Sequence, residues 1–558
     1  MSKAYQQSGI GVAGDYSERI DPLFAEWNID GSPGAIVAVI SKGKIVHQRG
    51  YGVANVEDDV PFSSDTVLRL GSTSKHFCAT CILILQERGK LDLGDDIRQY
   101  VPELPAYEAT ITLHHLLTMT SGLWDGINAL LFCGLDTSTI VTRQEMLGLI
   151  QCQQTLMYQP GDDCQYSNSN YALLSLVVER VSGKTLGDFM QDEIFGPLGM
   201  CDSALVPFDT CITRNKARGY VPAADGALSA GMMHTELSGD GGIDSTIADM
   251  TRWFLSYRDD QNFGPDYRLR LEAESRLNDG RLIDYRLGIN VTNYRGLQKV
   301  HHAGGMPGYL CDFVFYPDSD LGIILFTNMF DPKMLDLPDR VADIVLENDL
   351  ARPLQSTFVS KQDASAKWLR GVFASEASGQ IAEFLVEDGR LTCYLLGNAT
   401  PLMKIGEGRF APADESIVIE LPNSEDVSNS DQRPIVQLVS GCQPPVSLNP
   451  VSDPRTRSTP DPGHLQTFTG IYYSDELKET HEVTLRDGQL NVNIPSPARA
   501  LVWRKLVPVL GDLYGAIIDG EASCTNVAAV FLRDGEGVCT GLRYNINRCH
   551  DVCFRKLS

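Results

Sequence analysis

Three short stretches of this sequence carry residue types that could do chemistry together. In "RLGSTSKHFCATCILILQERGKLDL", Ser72 lies three residues before Lys75 and Ser74 lies directly before it. Serine alone is a weak nucleophile and needs a neighbouring base to take its proton; a lysine shifted by burial or nearby positive charge can be that base. If a helix starts at Ser72, Lys75 sits one turn later on the same face, within reach of the serine hydroxyl. The free N–H groups and partial positive charge of the helix start favour negative charge developing there. Ser74 points elsewhere on such a helix and is assigned packing or capping. An ordinary helix start has the same spacing, but "HFCATCILILQERGKLDL" is an almost wholly apolar helix closed by a glycine cap, a rigid support for a Ser–Lys pair.

The second stretch, "GDDCQYSNSNYALL", places Tyr166 and Asn168 as YxN before a strongly apolar helix. A phenol beside a lysine can relay a proton to a leaving group, and an amide side chain can hold a substrate carbonyl or orient the lysine. The structural alternative is a helix cap from Ser167 or Asn168. The third, "VHHAGGMPGYLCDFVFYP", places His302, Gly304 and Gly305 before a strand. The imidazole can donate or relay protons, and the glycines allow a backbone N–H to approach an oxyanion. His301 has no glycine two residues on, so His302 is preferred; a histidine before a glycine turn can equally be structural.

SxxK, YxN and HxG in this order resemble the serine penicillin-recognising family, which includes class C β-lactamases, D,D-peptidases and their esterase and D-aminopeptidase relatives. The resemblance covers roughly residues 20 to 335. It implies an α/β sandwich with a helical subdomain and a site at their junction. It also implies Ser72 as the acylated nucleophile, Lys75 as its general base, Tyr166 as the relay to the leaving amine, and Asn168 and His302 as site contacts. The oxyanion hole it implies is the N–H groups of Ser72 and Gly305.

The elements that must position these residues are legible in outline. "GAIVAVISKGKIVHQRGYG" and "YLCDFVFYPDSDLGIILFTN" each read as two strands around a turn, and the segments between them have helical apolar spacing. One sheet built from both ends, with helices inserted between, gives an α/β catalytic domain over residues 1–345. All-β units follow over 355–442 and 464–558, separated by a Pro-rich linker at 443–463. The two β units look duplicated: Gly371, Ser375, Gly389 and Leu391 map onto Gly470, Ser474, Gly488 and Leu490 at a constant offset of 99. Each is expected to be an antiparallel barrel or closed meander.

A catalytic domain followed by two similar β domains resembles the D-stereospecific aminopeptidase branch, as does "SGLWDGINALLFCGLD" after the SxxK helix. In that branch a loop of the last barrel carries an acid that recognises the substrate amine. The matching place is "YGAIIDGEASCTN", with Asp519 as the amine contact and Glu521 in reserve; a solvated turn acid is the alternative. His302 stands where many β-lactamases have lysine, and a neutral imidazole pulls less on a substrate carboxylate. The expected function is release of an N-terminal D-residue, such as D-Ala, from short peptides, amides or esters. The alternatives are an esterase, β-lactamase or D,D-peptidase, and an inactive penicillin-binding-like scaffold.

The composition fits an enzyme of this kind. The chain has 558 residues, 43% hydrophobic and 21% charged, enough for two or three domains. With 72 acidic against 47 basic residues its formal charge is -25, and no dense basic cluster is available to bind nucleic acid or anionic membranes. No apolar run approaches the roughly 20 residues of a membrane helix. Without a signal-like start, a cytoplasmic location is expected. Fourteen scattered cysteines read as free thiols. The CxxC of Cys78 and Cys81 has no matching second pair, and the CxxxC of Cys549 and Cys553 beside His550 is weak evidence for a metal, so no metal or cofactor is expected. "SGKT" at Ser182 lacks the upstream glycine of a P-loop. Homodimerisation is implied by the resemblance alone.

Overall fold

The computed structural model describes residues 16–135, 140–223, 226–351, 366–387, 390–395, 398–412, 417–422, 433–440, 445–452, 461–494, 503–518, 527–546 and 548–557. The chain divides into two compact units: 1–121, 137–147 and 168–352 form the first, and 122–136, 148–167 and 353–558 the second.

The first unit is built on a six-stranded antiparallel sheet. Its order is Asn290–Tyr294, Leu297–Met306, Tyr309–Tyr316, Leu321–Thr327, Ala35–Ser41 and Lys44–Tyr51. The hairpins read from opposite ends of the sequence therefore meet in one sheet, with Ala35 opposite Thr327 and Ser41 opposite Leu321. Side chains alternate across a strand, and the two faces divide accordingly. Val37, Val39, Leu310, Val314, Ile323 and Leu325 pack with Ile20, Phe24 and the helix Leu337–Val345. On the other face Phe313 and Phe315 meet Phe254 of the helix Ile247–Asp259. Gly322 is required at this contact, because a Cβ there would lie 2.3 Å from the Phe254 ring. The SxxK helix, Lys75–Glu87, is buried from Lys75 to Leu85. Gly89 follows it in the left-handed conformation, as expected of a glycine cap.

The second unit holds the two β structures expected from the repeat. A nine-stranded sheet runs from Gly371–Ser375 to Val446–Val451 and is nearly closed; an eight-stranded closed barrel runs from Gly470–Tyr473 to Cys549–Lys556. The repeat is physical as well as sequential. Ser375 Oγ accepts from the Ser378 N–H and Ser474 Oγ from the Leu477 N–H, the same serine turn 99 residues apart. The residues that follow, Gly379 and Lys478, both have positive φ.

Two boundaries differ from the sequence reading. The strand Val446–Val451 falls inside the stretch read as linker and pairs with Val372–Ala374 and Val436–Leu438. Its Leu448 and Val451 are buried in two different apolar clusters, and the surrounding prolines masked the strand. Residues 122–136 and 148–167, read as part of the catalytic domain, belong to the second unit. The reason is apolar burial: Trp124, Ala129, Phe132 and Cys133, around the helix Gly126–Phe132, share one core with Phe468, Tyr472, Tyr514 and Phe554 of the closed barrel.

Candidate active site

Ser72 lies in a 3-10 turn, Gly71–Ser74, that runs directly into the Lys75–Glu87 helix. A 3-10 turn has three residues per turn, so positions i and i+3 eclipse more closely than on an α-helix. Lys75 Nζ accordingly donates to Ser72 Oγ at 3.1 Å. It also donates to Asn168 Oδ1 at 2.7 Å and to the Asp240 carbonyl at 2.7 Å. Lys75 is fully buried, so three acceptors surround an ammonium whose three N–H groups need partners. Ser74 faces away, as expected of a packing residue, and its Oγ accepts from the Ile243 N–H at 3.2 Å.

The turn is held from below by buried charge. Arg69 is three residues before Ser72 on the short strand Val67–Arg69, which pairs with Ile243–Thr246. Its Nε lies 2.8 Å from Asp244 and 3.1 Å from Asp209, and Lys216 lies 3.0 and 3.1 Å from the same two acids. Two cations and two carboxylates balance, which is the condition under which buried charges persist.

The HxG strand is laid against the turn. Thr73 Oγ1 donates to the His302 carbonyl at 3.0 Å. A Cβ on Gly71 would fall 3.1 Å from the Gly305 nitrogen, and one on Gly304 would fall 1.9 Å from the Leu70 carbonyl oxygen. Only glycine at both positions lets the two backbones approach this closely. His302 Nδ1 lies 2.7 Å from the Ala303 carbonyl, which can only accept, so Nδ1 carries the proton and Nε2 accepts from Tyr285 O–H at 3.1 Å. Burial, aided by the Lys75 charge, pushes the imidazole down to about 3 and keeps it neutral. Both ring nitrogens have partners within the protein, so His302 fixes the strand rather than offering a free donor.

Tyr166 belongs to the second unit, where the Arg548 guanidinium lies over its ring at 4.4 Å from the centroid. Ser167, weighed as a helix cap, donates to the Trp124 carbonyl at 2.9 Å. Asn168 begins the helix Asn168–Ser182, whose residues from Ser169 to Val178 are buried. Asp519 and Glu521 lie outside the described residues.

Three participants escaped the sequence reading: the Asp240 carbonyl, Tyr285 and the Arg69 network. The glycine-rich "SGDGG" around Asp240 was the one available signal, because a Cβ on Gly239 would meet the Tyr171 carbonyl at 2.5 Å and Cys78 Sγ at 2.6 Å. Cys78 and Cys81 themselves are buried, free thiols in the helix, with burial raising both. Among the described residues no three metal-ligating side chains cluster.

A family profile described as Beta-lactamase matches residues 21–346. A D-aminopeptidase of Brucella anthropi is 27% identical over 362 residues, spanning 62% of this chain and 65% of that relative, less than two thirds of its length. Penicillin-binding protein 4* of Bacillus subtilis is 28% identical over 423 residues, spanning 70% of this chain and 90% of the relative. The structure of an octameric penicillin-binding protein homologue from Pyrococcus abyssi superposes with a TM-score of 0.56 at 21% identity, covering 78% of this chain and 99% of that one.

Proposed function

The chain belongs to the beta-lactamase family, and from that premise we propose that it is a serine hydrolase releasing an N-terminal D-residue from short peptides, amides or esters through an acyl-enzyme on Ser72. The observation that carries the reading is the bonding at Lys75 Nζ. Asn168 Oδ1 and the Asp240 carbonyl can only accept. In the amine form they can take both N–H groups, and the nitrogen, 3.1 Å from Ser72 Oγ, can accept the hydroxyl proton.

In this mechanism Ser72 Oγ bonds to the substrate carbonyl carbon as its proton passes to Lys75. The N–H groups of Ser72 and Gly305 hold the oxyanion. The proton then reaches the leaving nitrogen through Tyr166 as the C–N bond breaks. Water attacks the ester by the reverse proton route and restores Ser72. Tyr166 takes this role from the YxN spacing, two residues before the amide that holds Lys75. D-specificity rests on the likeness to the D-aminopeptidase, and Asp519, or Glu521, is the proposed ammonium contact.

Turnover of D-alanine amide, L-alanine amide, a nitrophenyl ester and a chromogenic cephalosporin tests the reading. The D-amide should be preferred over the L-amide, and Ser72→Ala should abolish both turnover and covalent labelling. Full activity in Ser72→Ala would sink the mechanism, and equal rates on the enantiomers would sink the specificity. The match along most of penicillin-binding protein 4* favours a second reading, a penicillin-acylated D,D-peptidase. A stable penicilloyl adduct on Ser72 without amide turnover would select it.

A further inference from the structure

Asp240 meets Lys75 through its backbone carbonyl, while its own side chain is buried and turned back on the chain. Oδ1 accepts from the Ser238 N–H at 3.0 Å. The Gly241 N–H donates to the Ser238 carbonyl at 3.4 Å and closes a turn over 238–241. The peptide joining Asp240 to Gly241 thus engages Ser238 through its N–H and Lys75 Nζ through its C=O, the latter at 2.7 Å. In a planar trans peptide those two groups point in opposite directions, so fixing one aims the other.

All of these residues lie in the first unit, and the flanks of the turn are anchored there. Ser238 Oγ is 3.0 Å from Ser175 Oγ on the helix Asn168–Ser182. Beyond the turn, Ile243 donates its N–H to Ser74 Oγ and accepts from the Leu70 N–H at 2.9 Å. The middle of the turn differs, because Asp240 stands between Gly239 and Gly241, which give the backbone no stiffness of their own. At 3.4 Å the Gly241 bond is long for N–H···O, so the 3.0 Å bond to the Asp240 side chain is the stronger restraint on this peptide.

This inference rests on the reading that Lys75 takes the proton of Ser72. Nζ becomes an ammonium as it does so, and its bond to the Asp240 carbonyl then becomes charge-assisted. We infer that Asp240 is a positioning residue for acylation: its side chain closes the turn that aims its own carbonyl at Lys75 Nζ. The role requires an acceptor at the Oδ1 position and does not require the negative charge.

Three substitutions in the full chain separate the acceptor from the charge. Asp240→Asn keeps an oxygen at the same place without the charge, Asp240→Glu keeps the charge on a longer arm that carries it past the Ser238 N–H, and Asp240→Ala removes both. Stopped-flow release of nitrophenol from the nitrophenyl ester of D-alanine, with enzyme in excess, gives the saturated rate of Ser72 acylation separately from the half-saturating concentration. Asp240→Ala and Asp240→Glu should lower the saturated rate by about ten- to a hundredfold, the range of one hydrogen bond to a charged group. Asp240→Asn should lose no more than about threefold, a rescue by the variant that conserves the acceptor. Asp240→Glu as fast as Asp240→Asn, or faster, would assign the effect to charge and overturn the inference. A merely structural aspartate would lower the thermal midpoint of all three variants and leave their saturated rates together, which overturns it as well. If Asp240→Ala does not fold, the order of Asn and Glu still decides, and a tenfold loss in Asp240→Asn is by itself a refutation. Absence of the ester-derived mass on Ser72 in wild type would instead overturn the proposed function, and this inference with it.

Discussion

Gly304 stands against the backbone of Ser72: a Cβ built on it would fall 2.9 Å from the Ser72 nitrogen, 2.9 Å from the Thr73 nitrogen and 1.9 Å from the Leu70 carbonyl oxygen. These neighbours are backbone atoms of a buried turn held by Arg69, Asp209 and Asp244, so the turn has little room to yield. The HxG glycine is therefore a spacing element that sets how close the Gly305 N–H comes to the serine.

Gly304→Ala should consequently separate the strand from the turn. Overpacking of this kind costs about 1–3 kcal/mol of stability. Loss of one oxyanion donor costs about 10²–10³ in kcat. Ester turnover and thermal unfolding of the same sample measure both, and a variant with wild-type kcat would show that the close approach has no catalytic weight.

The barrel contains its own acid-sensitive group. His481 Nε2 donates to the Phe132 carbonyl at 2.9 Å, and Nδ1 accepts from Tyr544 O–H at 3.2 Å. Burial pushes the imidazole down to about 4. An unfolded histidine titrates near 6.5, so between about pH 6.5 and 4 the unfolded state takes up a proton that the folded state does not. Stability is therefore lost as pH falls through that window, by up to about 1.4 kcal/mol per pH unit for this group. Gln at this position offers the same donor and acceptor without titrating. Denaturant unfolding at pH 7 and pH 5 should show His481→Gln gaining on wild type as pH falls; parallel slopes would exclude His481 as the source.

Phe132 is fully buried and packs with barrel residues, its ring centroid 5.6 Å from that of Tyr544. Phe132→Ala should cost about 3–5 kcal/mol, the range for emptying an aromatic site in a packed core. Circular dichroism in guanidinium chloride will register it as an earlier barrel transition. An unchanged midpoint would mean that the helix Gly126–Phe132 is not part of the barrel core.

The same helix shows why domain boundaries were only partly legible. Its apolar residues announce a buried face, but a hydrophobic stripe does not name the surface that will cover it. The strand Val446–Val451 was obscured differently, since Pro445 and Pro450 gave it the composition of a linker. Pro450 lies one residue from the end of that strand, opposite Phe373.

What the sequence determined by itself was local chemistry and periodicity. Ser72 and Lys75 are brought together by three residues of backbone, and the two β units declare themselves through turn residues repeated at an offset of 99. Tertiary structure decided the partners that covalent geometry does not reach. The Asp240 carbonyl on Lys75, Tyr285 on His302 and Arg548 on Tyr166 are such contacts. A backbone carbonyl has no side-chain signature, and Tyr285 and Arg548 acquire meaning only when folding places them beside a motif residue. Spacing brought Ser72 and Lys75 together; packing decided what holds them.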